Sequence, residues 1–175
     1  MKAYVAVVSA RYRTLLQYRA AAFAGLVTQC FWGAIKIMVM MAFFSVSTGP
    51  LPMSLPEVVA YIWLGQALLG MLPWSVDREL EGLIRRGDVA YELVRPVDLY
   101  WFWFSRTVAL RTATTTLRAI PMLVISMLAL PALGLGDWTL SPPPGFAAGL
   151  AFAVSLVAAL ILACAVTMLM HVALV

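Results

Sequence analysis

The sequence predicts an all-α, polytopic membrane protein with about four transmembrane helices, an N-terminal interfacial helix and one short amphipathic helix on the cytoplasmic side. Three observations carry this. The 175 residues are 63% hydrophobic and only 11% charged, with a mean hydropathy of +0.94, where soluble domains carry about 25% charged residues. Several apolar runs approach or exceed the roughly 20 residues needed to cross the hydrocarbon core. Positive charge is also one-sided: of 12 Lys and Arg, none lies in segments 47–57 or 136–144, so those segments face outside and the basic ones face the cytoplasm.

Residues 2–19 place Tyr4, Val5, Val8, Tyr12, Leu15 and Leu16 on one helical face, with Lys2, Ser9, Arg13 and Gln17 on the other, which predicts a helix lying in the interface. A first span follows over 20–46. The small residues Ala20, Ala21, Ala22 and Ala24 precede this run rather than follow it, so a cleaved signal peptide is not expected. The Pro-rich segment 47–57 is an external loop, and 58–74 is a second, barely sufficient span ending at Pro73-Trp74. After a polar island come an aromatic run at Tyr100–Phe104 and the arginines 106, 111 and 118. Arg111, Thr114 and Arg118 share a face that is expected to meet water or lipid phosphate. The third span, 119–135, contains Pro121 and Pro131, which imply kinks or a re-entrant path. Segment 136–144 is the second external loop, and 145–175 is an uncharged fourth span.

The polar island, 74–100, holds half of the chain's charged residues. Val76, Leu80, Leu83 and Ile84 recur at helical spacing, acids precede arginines and Gly87 is placed as a stop, which predicts about three turns of amphipathic helix over 76–86. This helix is too short to span a bilayer and is suited to docking in a groove. Asp77 reads as a solvent-facing residue of that helix.

Little in the sequence points to catalysis. There is no GxxxxGK[ST] phosphate loop, and the single histidine, His171, reads as a packing residue. Cys30 and Cys164 sit in apolar runs, as buried thiols rather than a disulfide or metal site. No basic, aromatic-interleaved segment suggests nucleic acid. Within the spans, Gln29, Lys36 and Gln66 are candidates for a polar translocation surface. Lys36 also fits snorkelling, and the glutamines also fit helix-to-helix hydrogen bonds.

The runs QYRAAAFAGLVTQCFWG and VVAYIWLGQALLGMLPWSVDRELEGLIRRGDVAYELVRPVDLYWFWFSR resemble the permease subunits of ABC-2-type exporters. The specific part is a loop signature of Gly-Asp, a hydrophobic residue and then Leu-x-Arg/Lys-Pro, present here as Gly87, Asp88, Val89, Leu93, Arg95 and Pro96. The resemblance implies a single permease transmembrane domain over 1–175, incomplete at its C-terminus because such permeases have six spans. It implies a non-enzymatic subunit without a cofactor of its own, in the bacterial plasma (inner) membrane with a cytoplasmic N-terminus. Its partners would be a separate ABC ATP-binding subunit that binds ATP, a second permease copy or a related permease, and membrane lipid. The island helix then corresponds to a coupling helix, with Glu79, Leu80, Leu83, Ile84, Arg85, Gly87, Arg95 and Pro96 as the ATPase-coupling residues. A membrane scaffold or assembly protein is the alternative from another class. A secondary transporter would be favoured by paired acids or histidines within spans, which are not seen. Drug, lipid and polysaccharide substrates fit equally.

Overall fold

A computed structural model describes residues 2–17 and 19–174. Its elements are all helical: α1 (Lys2–Leu15), α2 (Arg19–Val46), α3 (Leu55–Ala67), α4 (Arg78–Arg86), α5 (Val89–Leu93), α6 (Leu99–Ala132) and α7 (Phe146–Val172). The expected helix over 2–19 stops at Leu15, and Tyr18 and Val175, within the expected first and last helices, lie outside the described residues.

Among the described residues, three helices rather than four are long and apolar enough to cross a membrane: α2 from Ala20, α6 and α7. Their apolar surface is largely uncovered. On α7, Phe152, Val154, Val157, Ile161 and Leu169 are all exposed, which is costly in water and favourable in hydrocarbon. The expected span 58–74 instead begins at Ser54-Leu55, with Pro56 in its first turn, and ends as an α-helix at Ala67. Thirteen residues extend about 20 Å at 1.5 Å per residue, against a core of about 30 Å. The chain then tightens into a 3-10 turn at Leu69–Met71, because Pro73 disfavours helical backbone in the residue before it.

By contacts, the chain forms two compact units: 1–17, 71–114 and 147–175, and 18–70 with 115–146. In the second, Ala22, Leu26, Gln29, Gly33 and Ile37 form the buried face of α2, at helical spacing. Leu26 and Ile37 belong to one apolar cluster with Val59, Ile62, Trp63 and Ala67 of α3, Ala119 and Met122 of α6, and Leu140. Gly33 permits close packing, since a Cβ there would lie 3.0 Å from the Trp63 ring. The Trp63 indole donates to the Trp138 carbonyl at 2.8 Å, giving the polar end of a buried aromatic its partner.

The third span is one 34-residue helix, longer than the expected 119–135 because the aromatic run and arginines 106, 111 and 118 are helical too. Pro121 is accommodated inside it, and Ile125–Ala129 winds as a π-turn just before Pro131. Pro131 has no N–H to give the Ser126 carbonyl five residues back, and the Leu140 N–H bonds that carbonyl instead, at 3.2 Å. The prolines are therefore absorbed by a helix, without a re-entrant path.

Glu57 closes the first turn of α3, where its carboxylate accepts from the Ser54 N–H at 2.7 Å and the Ser54 hydroxyl at 2.8 Å. These bonds hold the carboxyl below its ordinary range. A depressed folded pKa contributes stability above the unfolded pKa and loses it as pH falls through the folded one. Lowering pH from about 6 to about 3 is therefore expected to increase amide exchange in the first turn of α3, and Glu57→Gln is expected to flatten that dependence.

Candidate functional site

The first unit is organised by charge. Asp77 precedes α4 as its N-cap, and its side chain accepts from the Glu79 N–H at 3.0 Å, satisfying one orphan donor of the helix. Gly87, at φ 75°, ends α4 in the left-handed region. The Gly87 and Asp88 N–H groups donate back to the Ile84 and Leu83 carbonyls at 3.1 and 3.0 Å, the Schellman pattern for which glycine is the default. Asp88 then accepts from Arg86 Nε at 2.9 Å, and Val89 packs onto the apolar cluster of this unit. The signature residues thus build a helix stop, a turn and the start of α5.

Asp77 is not solvent-facing, as expected from sequence, but only 4% exposed. Arg11 Nη2 reaches its two carboxylate oxygens at 3.3 and 3.2 Å, and Arg11 Nη1 pairs with Glu79. Arg106, only 8% exposed on α6, stands 3.1 Å from Glu79, 3.7 Å from Asp77 and 3.8 Å from Glu92. Its Nη2 is within ion-pair distance of Glu79 but out of line for a hydrogen bond, so attraction here is chiefly Coulombic. Glu92, also buried, accepts from the Trp103 indole at 2.6 Å. Behind Asp77, His171 of α7 is fully enclosed, and its Nε2 accepts from the Asp77 N–H at 3.2 Å. That acceptor role assigns the ring proton to Nδ1.

Arg111 is the second anchor. The face it was expected to share with Thr114 and Arg118 towards water or lipid phosphate turns inward at this position. Its guanidinium donates to the Leu72 carbonyl at 2.9 Å, to the Ser75 carbonyl, and to Thr167 Oγ1 at 2.9 Å. These carbonyls lie between the end of α3 and the start of α4, outside any helical ladder; the forked guanidinium bridges them, and the Leu72 carbonyl also accepts from the Trp74 N–H at 3.0 Å.

The expected coupling residues divide. Leu80 is fully enclosed by the chain's own cluster with Phe102, Trp103 and Met168, and Leu83 and Ile84 are half-buried against it. Glu79, Arg85, Gly87, Arg95 and Pro96 are exposed. Glu81 pairs with Arg85 at 2.7 Å, and Arg95 sits over the Phe102 ring with Cζ 5.3 Å from its centroid. Beside these, Tyr91, Leu93 and Val94 are 76%, 66% and 82% exposed, an apolar group absent from the sequence reading. The packed face of α1 is Tyr4, Val7, Val8, Arg11, Tyr12 and Leu15, with Val5 outward, so the helix is rolled to bring Arg11 to Asp77.

Of the candidate path residues, Gln29 and Gln66 are both buried on the packed faces of α2 and α3. Lys36 is exposed and has no ion pair among the described residues, so it does not join them. Both cysteines are free; Cys164 is buried and Cys30 half-buried. Comparison with protein-family models, curated proteins and solved structures finds no match to this chain.

The sequence reading missed the inward role of Arg106 and Arg111; the available signal was that Arg106 stands at helical spacing from the apolar Phe102, Trp103, Ala109 and Ala113 of α6, whereas Arg111 does not share that spacing. Arg111→Met is expected to lower unfolding stability in detergent by about 2 kcal/mol or more, since it removes hydrogen bonds donated by a charged group, each worth about 1.5–3 kcal/mol. Arg111→Lys is expected to recover little of it, because one ammonium cannot fork across three acceptors. Equal stability of both variants and the parent would remove Arg111 from this role.

Proposed function

We propose that this chain is the membrane-spanning permease subunit of an ABC-2-type exporter, driven by a separate cytoplasmic ATP-binding subunit, in the bacterial plasma membrane with its N-terminus in the cytoplasm. The observation that carries the reading is the form of the island. Two short helices are tied to the buried Arg106 by ion pairs from Glu79 and Glu92, while Tyr91, Leu93 and Val94 stand uncovered in the stretch of chain between the exposed Arg85 and Arg86 and the exposed Arg95. Exposed apolar side chains rimmed by charge mark a protein contact. A contact that must transmit force to a membrane helix also needs a stiff mount, and the ion pairs to Arg106 of α6 supply one.

The resemblance in Gly87, Asp88, Val89, Leu93, Arg95 and Pro96 supports the same reading. So does the sidedness of positive charge, because the Arg11 and Asp77 ion pair keeps α1 and the island on one side. ATP hydrolysis belongs to the partner in this scheme, and a second permease copy or a related permease would complete the path. The contact face differs from the one periodicity suggested: with Leu80 enclosed, docking falls to the C-terminal end of α4 and to α5.

Burying a side chain such as Val94 or Leu93 in a partner groove contributes about 1.5–3 kcal/mol before ordering costs. Val94→Asp is therefore expected to reduce copurification of the ATPase by about tenfold or more and to uncouple hydrolysis from transport, with normal membrane insertion. Asp137→Asn, in segment 136–144, is the control. Retention of ATPase by Val94→Asp at the control level would contradict the coupling role and favour a scaffold.

A further inference from the structure

Gln29, Thr115 and Arg118, the last packed on Gly25, carry polar groups without partners among the described residues. Arg118 lies about midway along α6 and is half-buried. It has neither an ion pair nor a hydrogen bond among the described residues. Its guanidinium packs against Gly25 of α2 so closely that a Cβ there would fall 2.7 Å from Nε and 2.8 Å from Cζ. One turn along the same face of α2 is Gln29, 4% exposed, with neither its Oε1 nor its Nε2 hydrogen-bonded. One turn before Arg118 on α6, the buried Thr115 Oγ1 also lacks a partner. Buried polar atoms are nearly always paired, and three such atoms, each about one turn from the contact of Gly25 with a guanidinium that has no counter-charge, point to a missing ligand.

The donor set defines that ligand. Arg118 offers a planar fork of N–H donors, Gln29 an NH2 and Thr115 a hydroxyl, while Arg118 disfavours a cation. A neutral ligand would leave the guanidinium without a counter-charge inside the span. Donors carried on two helices suit a tetrahedral oxyanion, which accepts on every side, better than a planar one. We infer that this unit binds a phosphate or phosphodiester anion, with Arg118 as counter-charge, Gln29 and Thr115 as further donors, and Gly25 giving the guanidinium room. The site stands whether or not the chain works with an ATPase.

Two arms distinguish the source of the phosphate. The chain is reconstituted in neutral phosphatidylcholine nanodiscs titrated with inorganic phosphate, and separately in nanodiscs containing phosphatidylglycerol without free phosphate. Saturable binding of one anion per chain is expected in at least one arm: the first identifies a soluble phosphate, the second a lipid headgroup. Arg118→Gln is expected to weaken it by about tenfold or more, as loss of a charged hydrogen-bonding partner does. Gly25→Ala is expected to weaken it by displacing the guanidinium. Should Arg118→Gln fail to insert, Gln29→Leu decides. It replaces an unpaired buried amide by an apolar group, so it is expected to raise thermal stability in neutral discs while lowering anion affinity, which a purely structural glutamine would not do. Absence of saturable binding in both arms, or parental affinity in Gln29→Leu and Gly25→Ala, would overturn the site.

Discussion

Withdrawing Asp77, Glu92 and Arg106 from water is the constraint on which the first unit depends. Each buried ion forfeits several kcal/mol of hydration, which is offset only when opposite charges and hydrogen bonds surround it closely. Those partners come from segments far apart in sequence, Arg11 from α1 and Trp103 and Arg106 from α6, and the Asp77 backbone N–H in turn donates to His171 of α7. Satisfying Asp77 therefore specifies the roll of α1, the start of α4 and the contact with α7 together. A purely apolar core would hold these helices as firmly but with less definition of register. In this chain, the buried pairs supply that definition.

The second unit is built on different terms. Its cluster is apolar, centred on Trp63, Met122 and Ile37, with polar closure confined to single bonds such as Trp63 to Trp138 and Leu140 to Ser126. Against that background the buried polar atoms of Gln29 and Thr115, without partners among the described residues, stand out.

Much of this was legible in the sequence. Helical class, the long apolar helices α2 and α7 and the α4 stop at Gly87 follow from local patterns with one physical cause each. What was not legible depends on tertiary contact. Periodicity marked Leu80, Leu83 and Ile84 as an apolar face but could not say whether a partner or the chain's own Phe102 and Trp103 would cover it. Asp77 read as a surface acid because its counter-charges, Arg11 and Arg106, are remote in sequence. The segment 58–74 has the composition of a span, yet Pro73 and the turn before it shorten α3. Pro131 read as an interruption, and a π-turn with a donor from Leu140 resolved it.

The most direct test of the charge-anchored account is a double-mutant cycle on Asp77→Asn and Arg106→Gln, read as unfolding free energy in a detergent where unfolding is reversible. Groups within one ion-pair network are expected to couple, here by about 1–3 kcal/mol, so the double variant should lose much less stability than the two single losses combined. Additivity within about 0.5 kcal/mol would show the two residues acting independently, and would contradict the claim that their pairing fixes the island to α6.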